Sequence, residues 1–147
     1  MRGFRIAKGY ENKEIELPKR STSRSAGYDI SLAEDLTIEP GKIGLGATGI
    51  KAFMQDDEVL MMVPRSSLPR KYGLILPNSV GIIDSDYYGN PTNDGLIHIQ
   101  LYNIGSETVT IKKGERVVQG IFKKYLTVQD EDEILTMRTG GFGSTDN

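Results

Sequence analysis

The segment GLIHIQLYN at 95–103 sets Ile97, Ile99 and Leu101 in alternation with His98, Gln100 and Tyr102. Successive side chains of an extended chain point to opposite faces, so this period of two describes a strand with one face on a core. ETVTIKKGE (107–115) places Val109 and Ile111 on one side before a turn at Gly114, and GYDISL (27–32) and RVVQGIFKKY (116–125) also read as strands. EVLMMVP (58–64) is a continuous apolar run, closer to a strand covered on both faces. Glu39-Pro40-Gly41, Gly89-Asn90-Pro91, Asn93-Asp94-Gly95 and Ile104-Gly105-Ser106 punctuate these runs. Many short strands at close spacing predict an all-β sandwich or barrel. One short helix is expected over 66–72, SSLPRKY, with a serine N-cap ahead of Pro69.

The 147 residues fit one domain with a core of its own. A hydrophobic fraction of 37% is low enough to suggest that part of the stability comes from burial between subunits. A net charge of −2 gives no basis for nucleic-acid or membrane binding. The absence of cysteine excludes disulfides and thiolate chemistry, and a single histidine, His98, excludes multi-histidine metal sites within one chain. No apolar run approaches a membrane span and the N-terminus carries no signal-peptide core, so the expected compartment is the cytoplasm.

GIIDSDYYGN (81–90) raises the sharpest chemical question, because Asp84 and Asp86 are two residues apart and would repel on one strand face. They could form a solvated strand end, a metal site, or a general base with its neighbours. PRSSL (64–68) offers Arg65, Ser66, Ser67 and the amides of a following helix turn as a phosphate cradle, although a capped helix with a surface arginine has the same sequence. Gln119 in RVVQG is a polar amide in an apolar strand and needs partners if buried. Asn78 and the backbone at 81–84 (Gly81, Ile82, Ile83, Asp84) offer a hairpin edge able to read a base, with Tyr87 able to pack under a sugar. The tail TMRTGGFGSTDN (136–147) is glycine-rich, yet it holds Phe142 with no core to enter and is preceded by Arg138, which suits a flap over a planar ligand. Neither G-x-x-x-x-G-K-[ST] nor G-x-G-x-x-G is present, which disfavours the ordinary nucleotide-binding folds.

Taken in order, AGYDISLAED (26–35), PRSSL (64–68), NSVGIIDSDYYGN (78–90), GERVVQGIF (114–122) and RTGGFGST (138–145) resemble the five motifs of the homotrimeric deoxyuridine triphosphatases, the dUTPases. The resemblance implies a jelly-roll-like β-barrel over 1–135 and a C-terminal arm over 136–147 that closes over a site built mainly by neighbouring chains. It implies hydrolysis of dUTP to dUMP and pyrophosphate by water attack on the α-phosphorus, limiting uracil in DNA and supplying dUMP for thymidylate synthesis. Mg²⁺ would be held by the triphosphate and water, with no direct protein ligand.

By the same resemblance Asp84 activates the water, and Asp29 lies near metal-bound waters or braces Asp84. Asp86 matches a variable position. Arg65, Ser66, Ser67, Gln119, Arg138, Ser144 and Thr145 hold the phosphates, and Phe142 between Gly141 and Gly143 stacks on uracil. Asn78 with Gly81, Ile82 and Ile83 reads the uracil edge, Tyr87 excludes ribose, and His98 adds a backbone contact.

NPTND (90–94) departs from the family by lengthening the connection after Gly89, and the base pocket is expected to survive it. Three alternatives compete with the dUTPase reading. They are a related dCTP deaminase, a dUTP-binding regulatory protein with an unknown partner, and a jelly-roll structural or carbohydrate-binding domain. The deaminase is disfavoured by the IDSDY pattern and the GGFG tail, a regulatory role could accompany catalysis, and the structural or carbohydrate-binding domain leaves the ordered motifs unexplained.

Overall fold

The computed structural model describes residues 1–134 and Arg138. In chain order its elements are β1 (Gly3–Ile6), β2 (Lys19–Arg20), β3 (Tyr28–Ser31), β4 (Leu36–Ile38), β5 (Ile43–Ala47), β6 (Ile50–Phe53), β7 (Glu58–Pro64), α1 (Leu68–Tyr72), β8 (Leu74–Ile75), β9 (Gly81–Asp84), a 3₁₀ turn (Ser85–Tyr87), β10 (His98–Asn103), β11 (Val109–Ile111) and β12 (Arg116–Lys124). The expected all-β class therefore holds, with one short helix among the described residues. The strands form a five-stranded sheet ordered β2-β3-β12-β7-β9, a three-stranded sheet β5-β10-β8, and the pairs β1-β6 and β11-β4.

Alternation dictates the core. Ile97, Ile99 and Leu101 are almost wholly buried, together with Ile30, Leu60, Val117 and Val118. Each such side chain contributes about 1.5–3 kcal/mol by leaving water, so a one-residue slip of β10 would turn Ile99 and Leu101 outward. β12 breaks the alternation between Arg116 and Val118, where its register against β3 shifts. This irregularity lets Val117 and Val118 both be buried. The continuous run of β7 pairs along its two edges with β12 and β9, yet it is not covered on both faces within one chain, since Leu60 and Met62 are buried while Met61 and Val63 are partly exposed.

Three local expectations need correction. The helix spans Leu68–Tyr72 rather than 66–72, and Ser67 at its N-cap has αR dihedrals and makes no side-chain cap bond. A serine caps with its hydroxyl only from extended backbone, which this tight turn out of β7 does not allow. Second, β9 and β10 do not form a hairpin: β9 pairs with β7, and β10 pairs with β5 and β8. The long connection between them passes from one sheet to the other. Third, Asp84 and Asp86 do not share a strand face, because β9 ends at Asp84 and Asp86 lies in the 3₁₀ turn.

Candidate active site

The change of sheet between β9 and β10 opens a cavity of about 230 Å³ lined by Asn78, Ile82, Ile83, Asp84, Tyr87, His98 and Arg138. Every one of these is a residue the sequence nominated. Asn78 comes from the turn before β9, where its Nδ2 donates to Val80 O at 3.2 Å. Ile82 and Asp84 project from the outer face of β9, opposite Met61 and Val59 of β7. Tyr87 is buried, and its hydroxyl donates to Leu96 O at 2.7 Å. His98 opens β10 on the other wall, where burial pushes its imidazole below the ordinary value against the opposing effect of a hydrogen bond to the Leu96 backbone. The neutral form of the ring is thereby favoured in a pocket that it shares with the Asp84 side chain.

The Arg138 guanidinium spans both aspartates. Its Nη2 lies 2.7 Å from Asp84 Oδ2 and its Nε 2.8 Å from Asp86 Oδ1, with Cζ 6.0 Å from the Tyr87 ring centroid. The hydrogen bond to Asp86, more than any other interaction, raises its pKa further above the usual arginine value. One planar cation between two carboxylates removes the repulsion that made the D-S-D sequence look costly. Arg138 was expected on the phosphates. Here it meets the two carboxylates of its own chain.

The nominated phosphate residues gather elsewhere on the same face of the five-stranded sheet. Asp29 accepts from Ser21 Oγ at 2.8 Å and pairs with Arg65 Nε and Arg116 Nη1, both at 3.3 Å. Its side chain is only 10% exposed, so it anchors the two guanidinium groups rather than lying free in solvent. Gln119 stands opposite Asp29 and Val63 in the sheet. The expectation that Asp29 braces Asp84 is not met within one chain, since Asp84 stands opposite Val59, about 13 Å further along β7 at ~3.3 Å per residue. Ser66 and Ser67 lie in the turn beyond β7, Ser66 exposed. Gly141, Phe142, Gly143, Ser144 and Thr145 lie outside the described residues.

Two residues in this cluster were quoted within motifs but given no task. Arg116 is the second guanidinium on Asp29. Gly27 is needed for space: a Cβ there would stand 2.1 Å from Gln119 Oε1 and 2.9 Å from Gln119 Cβ. A glycine two residues before an aspartate on a strand was the available signal, but its meaning depends on the neighbouring strand. Among the described residues no three acidic or histidine side chains cluster as a metal site, and no helix is long and apolar enough to cross a membrane. A donor set of separated single carboxylates suits a magnesium ion that keeps waters and takes its remaining oxygens from a phosphate chain.

The dUTPase family model matches residues 13–146. A deoxyuridine 5'-triphosphate nucleotidohydrolase from Lactococcus lactis subsp. lactis (strain IL1403) is 55% identical over 146 residues, covering 99% of this chain and 97% of the relative. The crystal structure of a dUTPase from Streptococcus mutans superposes with a TM-score of 0.83 at 50% identity, over 86% of this chain and 98% of that one. A mutant dUTPase from phage phi11 of S. aureus, which coordinates a structural Mg(II) ion, shares the fold at a TM-score of 0.73 and 18% identity, over 92% of this chain and 97% of that one. With five motifs in order, an all-β fold that gathers their described residues into two clusters, and relatives matched along nearly the whole length, the chain belongs to the dUTPase family.

Proposed function

We propose that the chain hydrolyses dUTP to dUMP and pyrophosphate, with Asp84 as the base that activates water. The observation that carries this is the single cavity in which the Asp84 carboxylate faces Asn78, Tyr87 and His98, a carboxylate beside a nucleoside-sized recess. Uracil enters between Asn78 and the β9 backbone at Gly81, Ile82 and Ile83, and the sugar lies against Tyr87. Asp84 orients a water and takes its proton as the oxygen attacks the α-phosphorus, and the bond from that phosphorus to the bridging oxygen breaks. Arg65, Ser66, Ser67 and Gln119 hold the outgoing phosphates, Asp29 aims Arg65, and negative charge on the departing pyrophosphate is met by these donors. Bound Mg²⁺ supplies charge neutralisation across the phosphate oxygens.

The active assembly in this reading is a homotrimer. Support comes from the distance between the two clusters, which one chain separates with the half-exposed apolar row Met61, Val63 and Ile121 and the exposed Ile82. A second copy brings its Arg65 cluster to the Asp84 pocket of the first. Residues 136–147 act as an arm, in which Phe142 flanked by Gly141 and Gly143 covers uracil while Ser144 and Thr145 reach the phosphates. Arg138 leaves Asp84 for the phosphate chain when substrate arrives.

Incubation of the protein with Mg²⁺ and each of dUTP, dCTP, dTTP and UTP, with pyrophosphate and ammonia measured, tests the activity. Pyrophosphate from dUTP alone is expected. Ammonia from dCTP would replace the proposal with deamination, and equal turnover of UTP would remove the role of Tyr87. Gly27→Ala supplies a second check. The added methyl drives the Gln119 amide off its position, and a displacement of about 1 Å in a phosphate-positioning group is expected to lower kcat/KM for dUTP on the order of tenfold to a hundredfold. Unchanged kinetics in a folded Gly27→Ala protein would show that Gln119 does not touch the substrate.

A further inference from the structure

The 90–94 connection has no task in the reaction described above, yet it is bonded throughout and its bonds converge on Tyr87. Asn90 is 4% exposed. Its Nδ2 donates to Tyr87 O at 3.1 Å and to Asn93 Oδ1 at 2.8 Å, and its Oδ1 accepts from the Thr92 and Asn93 amides at 3.0 and 3.3 Å. Asn93 Oδ1 also accepts from Gly95 N at 3.1 Å. With its oxygen thus committed, Asn93 must turn its NH₂ the other way, and Nδ2 donates to Tyr87 Oη at 2.9 Å. The phenol is held from both sides, because its own proton goes to Leu96 O at 2.7 Å.

The loop is anchored outside as well. Asp94 accepts from Lys51 Nζ at 2.7 Å and from Lys8 N at 2.9 Å. Gly95 has φ +87, and a Cβ there would stand 2.7 Å from Tyr87 O, so the chain can close this tightly only with glycine. A loop tied to β6 through Lys51 and aimed at one phenolic oxygen fixes the height of the ring in the cavity wall.

We infer that Asn93 is a positioning residue for sugar discrimination. Its amide holds Tyr87 at the depth that leaves room for a 2'-deoxy sugar and none for a 2'-hydroxyl. The inference rests on the assignment of Tyr87 to the sugar made above. Sterically, about 1 Å of ring movement is enough to change such a fit.

Asn93→Asp is the informative variant. It is isosteric, it keeps an oxygen for Asn90 and Gly95, and it puts an acceptor where a donor met Tyr87 Oη. The ratio of kcat/KM for dUTP to that for UTP is expected to narrow by about tenfold, through a lower KM for UTP. An unchanged ratio in a protein that still melts cooperatively overturns the inference. In a Tyr87→Phe background Asn93→Asp has no hydroxyl to act through, so its effect on the ratio should vanish, and persistence of the effect also overturns the inference.

Tyr87→Leu separates the two assignments. If loss of the ring leaves the ratio intact, the sugar role of Tyr87 and the Asn93 inference fall together. If Tyr87→Leu narrows the ratio and Asn93→Asp does not, only the Asn93 inference falls. Should Asn93→Asp not fold, Asn93→Ala removes the same donor and is judged by the same ratio.

Discussion

Asp84→Asn is expected to lower dUTP turnover by about 10²–10⁴-fold, the usual worth of a general base, with nucleotide binding retained. Asparagine keeps the shape of the side chain and an oxygen able to accept from Arg138, so the pocket loses basicity rather than form. The Asp84 side chain is 52% exposed, which leaves its carboxylate open to water on the cavity side. Asp86 provides the internal control. It has similar exposure at 51% and meets the same guanidinium, but the cavity lining includes Asp84 and not Asp86. Asp86→Asn should therefore cost less than about tenfold, through looser placement of Arg138. Single-turnover pyrophosphate release, paired with calorimetric binding of a non-hydrolysable dUTP analogue, checks both. Equal losses in the two variants would show that the pair acts through Arg138 alone, and that neither carboxylate is the base.

How far the sequence carried depends on whether the deciding neighbour is near in the chain. The alternation in 95–103 located β10 and the buried Ile97, Ile99 and Leu101 because a period of two is written in adjacent positions. The nominated nucleoside residues also met in one cavity, since most of them sit within ten positions around Asp84. What stayed hidden was non-local. β9 could pair with the following strand or with β7, and nothing in GIID distinguishes them. Asn103 closes the quoted segment 95–103 and was given no task there. The fold buries it completely and gives its amide to Ile38 O and Glu107 O and its oxygen to Gly105 N. NPTND read as extra turn residues lengthening the connection after Gly89, whereas Asn90 is one of the few buried polar residues among those described. An asparagine in a loop and an asparagine in a closed hydrogen-bond ring have the same composition and differ only in what the rest of the chain brings to them.

Met61→Asp is expected to abolish both assembly and catalysis. Met61 stands opposite Ile121 on one side and Ile82 on the other, the middle of a row that crosses the outer face of three strands. Met61 and Ile121 are half-buried and Ile82 is 55% exposed in the single chain. An apolar row in that state gains by being covered, and a carboxylate at its centre must be desolvated whenever a second copy covers it. An unpaired buried charge costs several kcal/mol, enough to dissociate an interface of ordinary size at micromolar concentration. The single chain tolerates the same substitution, because the side chain points away from Leu60 and Met62 and toward solvent. Sedimentation velocity should then show folded monomers, and dUTP hydrolysis should fall by at least about a hundredfold, because a monomer leaves Gln119, level with Val63, about 13 Å along the strand from the level of Asp84, and Arg65 further still. Met61→Leu, which keeps the row apolar, should behave as the parent. A monomeric Met61→Asp protein with full activity would mean that one chain completes its own site. A trimer that persists with aspartate at 61 would mean that copies meet on a different face.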